Sequence, residues 1–301
     1  MRFSRLAALV AVPATLALAA CGGGTSGVIG NGAGTAGQYA NLRFVNGDPQ
    51  LGPVDVYVQA TGAAAPSSAT IAGLQYGNVS TFYQEAAPVA YSVILRSPGS
   101  SSTSTAIQSC PVPQLQTNSK YTVVLVQTTL QGTAAVNCAI FQDFDYTTAP
   151  QYRFHDAAYN TGRSSYDFGV TNTAATTPGS PFTVNGTASQ ALVAVGGSSA
   201  TYTQAQPLGL APASAAAFAI GTGGAATGQS EVSVATLPFN QIFASGPGTP
   251  SMPNSANSLN YPQTAGTSVF AIDCTAASVA ALGTGFTCTS GVTLIGTFDT
   301  L

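Results

Sequence analysis

Histidine, serine and carboxylate side chains are the residues in this sequence that could do hydrolytic chemistry. The chain of 301 residues contains a single histidine, His155. One imidazole allows one Ser-His-Asp arrangement and excludes metal sites that need several histidines. The sequence has no G-x-S-x-G, S-x-x-K or H-E-x-x-H motif. We therefore expect His155 to pack or to form hydrogen bonds at a strand end, and we expect no catalytic, cofactor-binding or metal-binding residues.

Two carboxylates with regular spacing are the next candidates for chemistry. Asp143 and Asp145 alternate in the segment FQDFDY, and alternate residues of a strand lie on the same side. Such a pair could bind calcium or serve as the two acids of a glycosidase. Spacing alone does not select these functions, so we expect the solvated acidic face of a terminal strand.

An arginine and an aspartate recur together in two similar segments. LRFVNGDPQLGPVDVYV begins at Leu42 and YRFHDAAYNTGRSSYDFGV begins at Tyr152. Their alignment matches Arg43 with Arg153 and, after a two-residue insertion, Asp55 with Asp167. If the first two strands of each copy are neighbours, each arginine lies opposite its aspartate. We therefore predict two structural ion pairs, Arg43 with Asp55 and Arg153 with Asp167.

Four cysteines are divided equally between the two similar halves of the chain. Cys110 and Cys138 lie in the first half, and Cys274 and Cys288 lie in the second. Local pairing within each half is the simplest of the three possible connectivities. Buried free thiols are the alternative. Zinc is disfavoured because no C-x-x-C pair and no second histidine is present.

The fifth cysteine, Cys21, follows an export signal. Arg2 and Arg5 precede an uncharged run at residues 6–20, which is short for a membrane span and contains a proline. Leu18 to Cys21, with the sequence LAAC, resembles the lipobox of bacterial lipoproteins. The resemblance implies cleavage before Cys21 and its acylation, so the membrane is a partner and the cell envelope is the location. In a Gram-negative cell, glycine after the cysteine implies sorting to the outer membrane.

Beyond the signal, the pattern predicts an all-β protein. Val54, Val56 and Val58 alternate with polar residues, and Gly, Pro, Asn and Ser clusters separate such runs. We find no convincing amphipathic helix. The predicted organisation is a signal peptide at 1–20, an acylated cysteine and glycine-rich tether at 21–38, and β domains at 39–148 and 149–301, with a Pro/Gly/Asn-rich insertion at 237–267 in the second.

The segment from Leu42 to Val58 resembles the opening of the domain-of-unknown-function family 4397. An Arg-led strand, a turn with Asp and Pro, and a Val-Asp-Val-Tyr strand recur in that family, as Arg43, Asp48-Pro49 and Val54 to Tyr57 do here. The second copy keeps Arg153, His155 and Asp167 but lacks the turn proline. The resemblance implies two tandem immunoglobulin-like antiparallel β-sandwiches and implies no activity.

Charge excludes one class of partner. Only 6% of the residues are charged and the few basic residues are scattered, so nucleic acid is not an expected partner. We hypothesise a non-enzymatic, lipid-anchored envelope protein that presents tandem β-sandwiches for adhesion, scaffolding or assembly to another envelope protein or a glycan. The alternatives are a periplasmic or surface hydrolase that uses carboxylates and a carbohydrate-binding module, although the absence of tryptophan weakens the latter.

Overall fold

The computed structural model describes most of the chain between residues 38 and 299. The described ranges are 38–130, 133–143, 151–171, 178–179, 181–183, 190–198, 202–203, 217–222, 230–238, 241–244, 266–283 and 286–299. They consist of β-strands with one short helix, which confirms the all-β prediction. The predicted signal peptide, Cys21, all of the tether except Gln38, Asp145 and most of the predicted insertion lie outside them. No helix among the described residues is long and apolar enough to cross a membrane.

The first half of the chain forms two sheets that pack face to face. Its strands are β1 (Tyr39–Asn46), β2 (Val54–Ala60), β3 (Ile71–Leu74), β4 (Tyr83–Ala86), β5 (Tyr91–Arg96), β6 (Gln108–Val112), β7 (Lys120–Leu130) and β8 (Thr133–Asp143). Sheet A has the order β4-β1-β7-β8, and sheet B has the order β3-β2-β5-β6. Their facing side chains form one apolar core, so this half is a β-sandwich.

The second half repeats this plan. Its strands are β9 (Gln151–Ala157), β10 (Ser165–Thr171), β11 (Pro181–Thr183), β12 (Gln190–Ala194), β13 (Tyr202–Thr203), β14 (Ala217–Gly221), β15 (Ser230–Val232), β16 (Ala235–Pro238), β17 (Phe243–Ala244), β18 (Gly266–Asp273) and β19 (Val292–Asp299). Sheet C has the order β13-β9-β18-β19-β17, and sheet D has the order β12-β10-β14-β16. Strands β11 and β15 form a separate pair.

Strand pairing supports the internal repeat suggested by the sequence. β1 runs parallel to β7, and β9 runs parallel to β18, with Arg43 opposite Thr122 in one pair and Arg153 opposite Ser268 in the other. β7 and β8 are antiparallel, as are β18 and β19. The sheets are therefore mainly antiparallel, but each copy contains a central parallel pair that the sequence prediction did not include.

The two sandwiches pack against each other through sheets A and C. Val45, Val124 and Phe141 from sheet A belong to the same buried apolar cluster as Phe270 and Ile272 from sheet C. A Cβ atom added to Gly47 would lie 2.9 Å from the Ile272 side chain, closer than real Cβ contacts. Glycine at position 47 therefore permits this close approach, and the four sheets form layers in the order B, A, C, D.

One helix, α1 (Ala276–Leu282), contradicts the expectation of no helix. Thr275 and Ser278 form a reciprocal capping box, in which each side-chain oxygen accepts a hydrogen bond from the backbone N–H of the other residue. Val279 and Leu282 are buried. The helix was missed because it is only seven residues long and its apolar face spans two turns.

Both predicted disulfides are present. Cys110 of β6 is bonded to Cys138 of β8, which joins sheet B to sheet A, with 28 residues of sequence separation. Cys274 is bonded to Cys288 across the connection between β18 and β19, with a separation of 14 residues. The local pairing is confirmed, but the two bonds occupy different positions in the two copies. The predicted domain boundary near residues 148–151 lies between β8 and β9 and is mostly outside the described residues.

Candidate functional site

A polar cluster lies buried between the two sandwiches and is centred on Arg43. Arg43 has no solvent exposure. Its Nε donates to Thr122 Oγ1 at 2.6 Å, and its Nη2 donates to Ser268 Oγ at 2.9 Å. Nη2 also lies 3.4 Å from Asp143 Oδ2. The guanidinium therefore connects two strands of sheet A with β18 of sheet C.

Alternation along β1 explains why an arginine points into this layer. Leu42 and Phe44 face sheet B and belong to the core of the first sandwich. Arg43 and Val45 face the other way, toward sheet C. Burial of a guanidinium is costly unless its donors and its charge are satisfied. The hydroxyl groups and the carboxylate around Arg43 meet that requirement.

Asp143 is part of this cluster rather than of a solvated face. It is 6% exposed, and its Oδ2 accepts a hydrogen bond from Thr122 Oγ1 at 2.5 Å. The prediction of a solvated acidic strand end is therefore wrong for Asp143. Sheet C covers this side of β8. The strands of sheet C are distant from Asp143 in sequence, so the local pattern around Asp143 could not predict its burial. Asp145 lies outside the described residues, so the paired-carboxylate hypothesis stays a prediction.

His155 lies between two aromatic rings at the same interface. Its imidazole stacks on Phe270 with a centroid distance of 4.9 Å, and the Phe141 ring lies at the same distance. Nδ1 is 2.7 Å from Ser198 Oγ, and Nε2 is 3.5 Å from Asp143 Oδ1. Burial holds the pKa of the imidazole well below its ordinary value, and Arg153 and Arg43 lower it further. The imidazole is therefore neutral at neutral pH, and its contact with Asp143 is not an ion pair.

Ser198, His155 and Asp143 form a line that superficially matches a catalytic triad. In the usual triad the serine contacts Nε2 and the carboxylate contacts Nδ1; here the roles of the nitrogens are reversed. His155 has no solvent exposure. The amides of Gly196 and Gly197, beside the serine, are bonded to backbone carbonyls rather than free to stabilise an oxyanion. The geometry suits a packed hydrogen-bonding residue, as the sequence suggested for His155, although it lies inside β9 and not at its end.

The predicted pair of Arg43 with Asp55 is wrong. β1 belongs to sheet A and β2 to sheet B, and both side chains point away from the core that these sheets share. Arg43 faces sheet C, and Asp55 lies on the outer face of sheet B. There the Asp55 carboxylate accepts hydrogen bonds from the backbone N–H groups of Gly73 and Gly99, at 2.7 and 2.8 Å.

The predicted pair of Arg153 with Asp167 fails for the same reason. Tyr152 and Phe154 contact phenylalanine rings of sheet D inside the second sandwich. Arg153 therefore faces the first sandwich, where its Nη1 donates to the Gln142 carbonyl at 2.9 Å. Phe168 stacks on Phe154 in that core, so Asp167 of β10 points to the outside of sheet D. The repeat places each arginine at the interface and each aspartate on an outer face.

Burial extends to every acidic side chain whose exposure the structure describes. The chain has ten acidic residues, and side-chain exposure is described for all except those at positions 145, 231 and 299. The other seven are buried: Asp48, Asp55, Glu85, Asp143, Asp156, Asp167 and Asp273. Burial raises the pKa of Glu85 to about 8, and it raises the pKa values of Asp156 and Asp273 to about 7 each. Among the described residues, no group of three His, Cys, Asp or Glu side chains is placed to hold a metal ion.

Asp156 and Asp273 are held by one loop. Asp156 Oδ1 accepts from the Ala158 N–H at 3.1 Å. The Asp273 carboxylate accepts from the N–H groups of Tyr159 and Asn160, at 3.2 and 2.9 Å. Asn160 Nδ2 in turn donates to the Gln127 carbonyl of β7 at 2.8 Å. The loop after β9 therefore ties two buried carboxyl groups to the first sandwich.

Sequence reasoning missed the hydroxyl residues of the cluster, Thr122, Ser268 and Ser198. A usable signal existed for the first two. Each immediately precedes a similar apolar run, VVLV after Thr122 and VFAI after Ser268, and the two residues occupy equivalent register positions opposite Arg43 and Arg153. No comparable signal marked Ser198, which lies after β12 and forms an isolated antiparallel bridge with His155.

Comparison with known proteins adds no assignment. No family model matches the chain, and no curated protein is significantly similar to it. The resemblance to the domain-of-unknown-function family 4397 therefore stays a prediction.

Proposed function

We propose that this chain is a non-enzymatic, lipid-anchored protein of the bacterial cell envelope that acts in adhesion, scaffolding or assembly. One observation carries the non-enzymatic part of the proposal. Arg43, Asp143 and His155, which have the chemistry to act on a substrate, are buried in contacts that join the two sandwiches. A catalytic group must be within hydrogen-bonding distance of its substrate. These three side chains are enclosed and contact one another instead.

The lipid anchor is supported by the sequence alone. The export pattern at 1–20 and the LAAC segment that ends at Cys21 favour acylation of this cysteine, and the first described strand, β1, begins 18 residues later, at Tyr39. Two or more acyl chains hold a protein durably at a bilayer. In a Gram-negative cell we place the body at the outer membrane.

The anchor is tested by labelling growing cells with an alkyne-bearing fatty acid and fractionating them. We expect label on the wild-type protein in the membrane fraction. Cys21→Ala should carry no label and leave that fraction, whereas Cys110→Ala with Cys138→Ala is the cysteine-matched control and should keep the label. Label that persists in Cys21→Ala would contradict the anchor.

The hydrolase that uses carboxylates is the second candidate, because the Asp143 carboxylate lies 3.5 Å from His155 Nε2 and the other imidazole nitrogen lies 2.7 Å from Ser198 Oγ. The purified protein is screened with a panel of esters and glycosides, beside Ser198→Ala and Asp143→Asn. We expect no turnover by any of the three proteins. Turnover by the wild type that either variant abolishes would establish the hydrolase and overturn the non-enzymatic proposal.

A further inference from the structure

Arg96, at the end of β5, is a buried cation with two donor atoms that make no hydrogen bond among the described residues. It is 8% exposed and lies on the outer face of sheet B, far from the layer between the sandwiches. Its Nε and Nη1 atoms are buried and have no hydrogen-bond partner in the part of the chain that the structure describes. The guanidinium carbon lies 5.5 Å from the centroid of the Tyr57 ring. A buried guanidinium normally has hydrogen-bonding partners, because its desolvation is costly.

A second unused donor lies in the loop that follows Arg96. Ser100 Oγ is buried and likewise without a partner among the described residues. The loop at 97–107 is rich in serine and threonine and connects β5 to β6. The Tyr57 hydroxyl donates to the Ser100 carbonyl at 3.2 Å, which fixes this part of the loop over Tyr57. The Arg96 guanidinium and the backbone of Ser100 therefore both lie beside the Tyr57 side chain.

The nearest carboxylate does not explain Arg96. Asp55 is opposite Arg96 in the strand register, but both of its oxygens accept backbone N–H groups, from Gly73 and Gly99. The second copy shows that the fold does not require the arginine. There, the buried Asp167 is opposite Gly221 at the equivalent position. Arg96 is thus an addition to the repeated plan and not a part of it.

We propose that Arg96, Ser100 and Tyr57 form a binding site for an oxyanion group, namely a carboxylate, sulfate or phosphate carried by a ligand. The unused groups include the N–H donors of a planar guanidinium, which match the geometry of such oxygens, and a hydroxyl that can donate to the same group. The adjacent residues Ser97 and Gly99 are exposed, so a ligand would approach the site from the side of the loop at 97–107. The site does not depend on the lipid anchor or on the proposed function.

Binding is measured by isothermal titration calorimetry on the intact chain in detergent, with sulfate, phosphate and acetate titrated separately at constant ionic strength. We expect saturable binding of at least one anion, and the strongest of the three identifies the group. Arg96→Gln should weaken this binding at least tenfold, and Ser100→Ala should weaken it severalfold. Arg163→Gln, which alters an exposed arginine in the other sandwich, is the matched control and should leave it unchanged.

A second readout uses the unaltered protein. Hydrogen exchange of the peptide that covers residues 97–107 should slow at saturating anion, because the bound group fixes the loop. Arg96→Gln should remain folded, because Nε and Nη1 of Arg96 have no hydrogen-bond partner among the described residues that the substitution would remove. Absence of saturable binding for all three anions, or binding that Arg96→Gln leaves unchanged, would overturn the proposal.

Discussion

Arg43 of the first sandwich donates a hydrogen bond to Ser268 of the second, at 2.9 Å and across 225 residues of sequence. The same guanidinium approaches Asp143 and donates to Thr122 within its own sandwich. One buried side chain thereby links β1, β7 and β8 to β18. Because these contacts lie in the layer between sheets A and C, they make the two halves a single packed body.

Removal of Arg43 should destabilise the protein strongly. Arg43→Ala deletes the cation beside the buried Asp143 carboxylate and leaves an uncompensated charge, at a cost of about 3–5 kcal/mol. For a chain of this size, that corresponds to a fall of roughly 10 °C in the melting temperature. Thermal unfolding followed by circular dichroism measures it. Arg163→Ala, on an exposed arginine, should change the melting temperature little, and an equally small change for Arg43→Ala would contradict the role of Arg43.

Glu85 should make the protein less stable as pH rises. Its carboxyl is fully buried, neither oxygen has a hydrogen-bond partner among the described residues, and burial raises its pKa from 4.5 to about 8. The folded state therefore binds the proton more tightly than the unfolded state. The stabilisation is complete below pH 4.5 and is lost as pH rises through 8.

Glu85→Gln should remove this dependence, because the amide stays neutral. We expect the variant to exceed the wild type at pH 9 by on the order of a few kcal/mol, and to lose that advantage near pH 4. Urea unfolding at the two pH values measures the difference. A variant whose advantage is equal at both pH values would show that Glu85 does not titrate between them.

His155 should have the opposite pH dependence. Burial and the nearby cations Arg153 and Arg43 lower its folded-state pKa, so the unfolded state binds the proton more tightly. The stabilisation is complete above the unfolded pKa of 6.5 and is lost as pH falls. The packing of His155 between Phe141 and Phe270 therefore requires the neutral form of the imidazole.

His155→Phe keeps an aromatic ring between Phe141 and Phe270 but removes the hydrogen bond to Ser198. At pH 8 we expect the variant to be less stable by about 1 kcal/mol. At pH 5 the deficit should shrink or reverse, because only the wild type is weakened by protonation. Chemical denaturation across this range tests the prediction, and a deficit that stays constant would contradict it.

The disulfides should contribute unequally. Cys110 and Cys138 close a longer segment than Cys274 and Cys288, 28 against 14 residues. In the chain-entropy model each bond contributes about 3–4 kcal/mol, and the longer segment contributes more. Double alanine variants of each pair, compared by urea unfolding, measure this order. A larger loss for the second pair would mean that packing around α1 outweighs the entropy of the unfolded chain.

Local pattern was enough to predict several parts of the fold. Alternation at Val54, Val56 and Val58 predicts a strand with one face in a core, and all three valines are in the first core. The position of the cysteines predicts the two disulfides. These features depend on residues that are near in sequence or confined to one half of the chain.

The candidate site depended on information that the local pattern does not contain. Alternation shows that the side chains of Arg43 and Asp55 point away from the core. It does not show which sheet each strand joins, or what packs against the outer face of that sheet. Arg43 meets Ser268 only because sheet A stacks on sheet C. In each predicted ion pair, therefore, the arginine lies at the interface between the sandwiches and the aspartate lies on the outer face of the other sheet.

The central claim is that Arg43 and its partners join the two sandwiches, and a double-mutant cycle between Arg43→Ala and Ser268→Ala tests it most directly. Unfolding free energies of the wild type, both single variants and the double variant give the coupling energy. We predict a coupling of about 1–3 kcal/mol, as expected for a buried hydrogen bond to a charged group. The control cycle of Arg43→Ala with Ser92→Ala, on sheet B, should be additive. Additivity between Arg43 and Ser268 as well would contradict the claim that this contact joins the sandwiches.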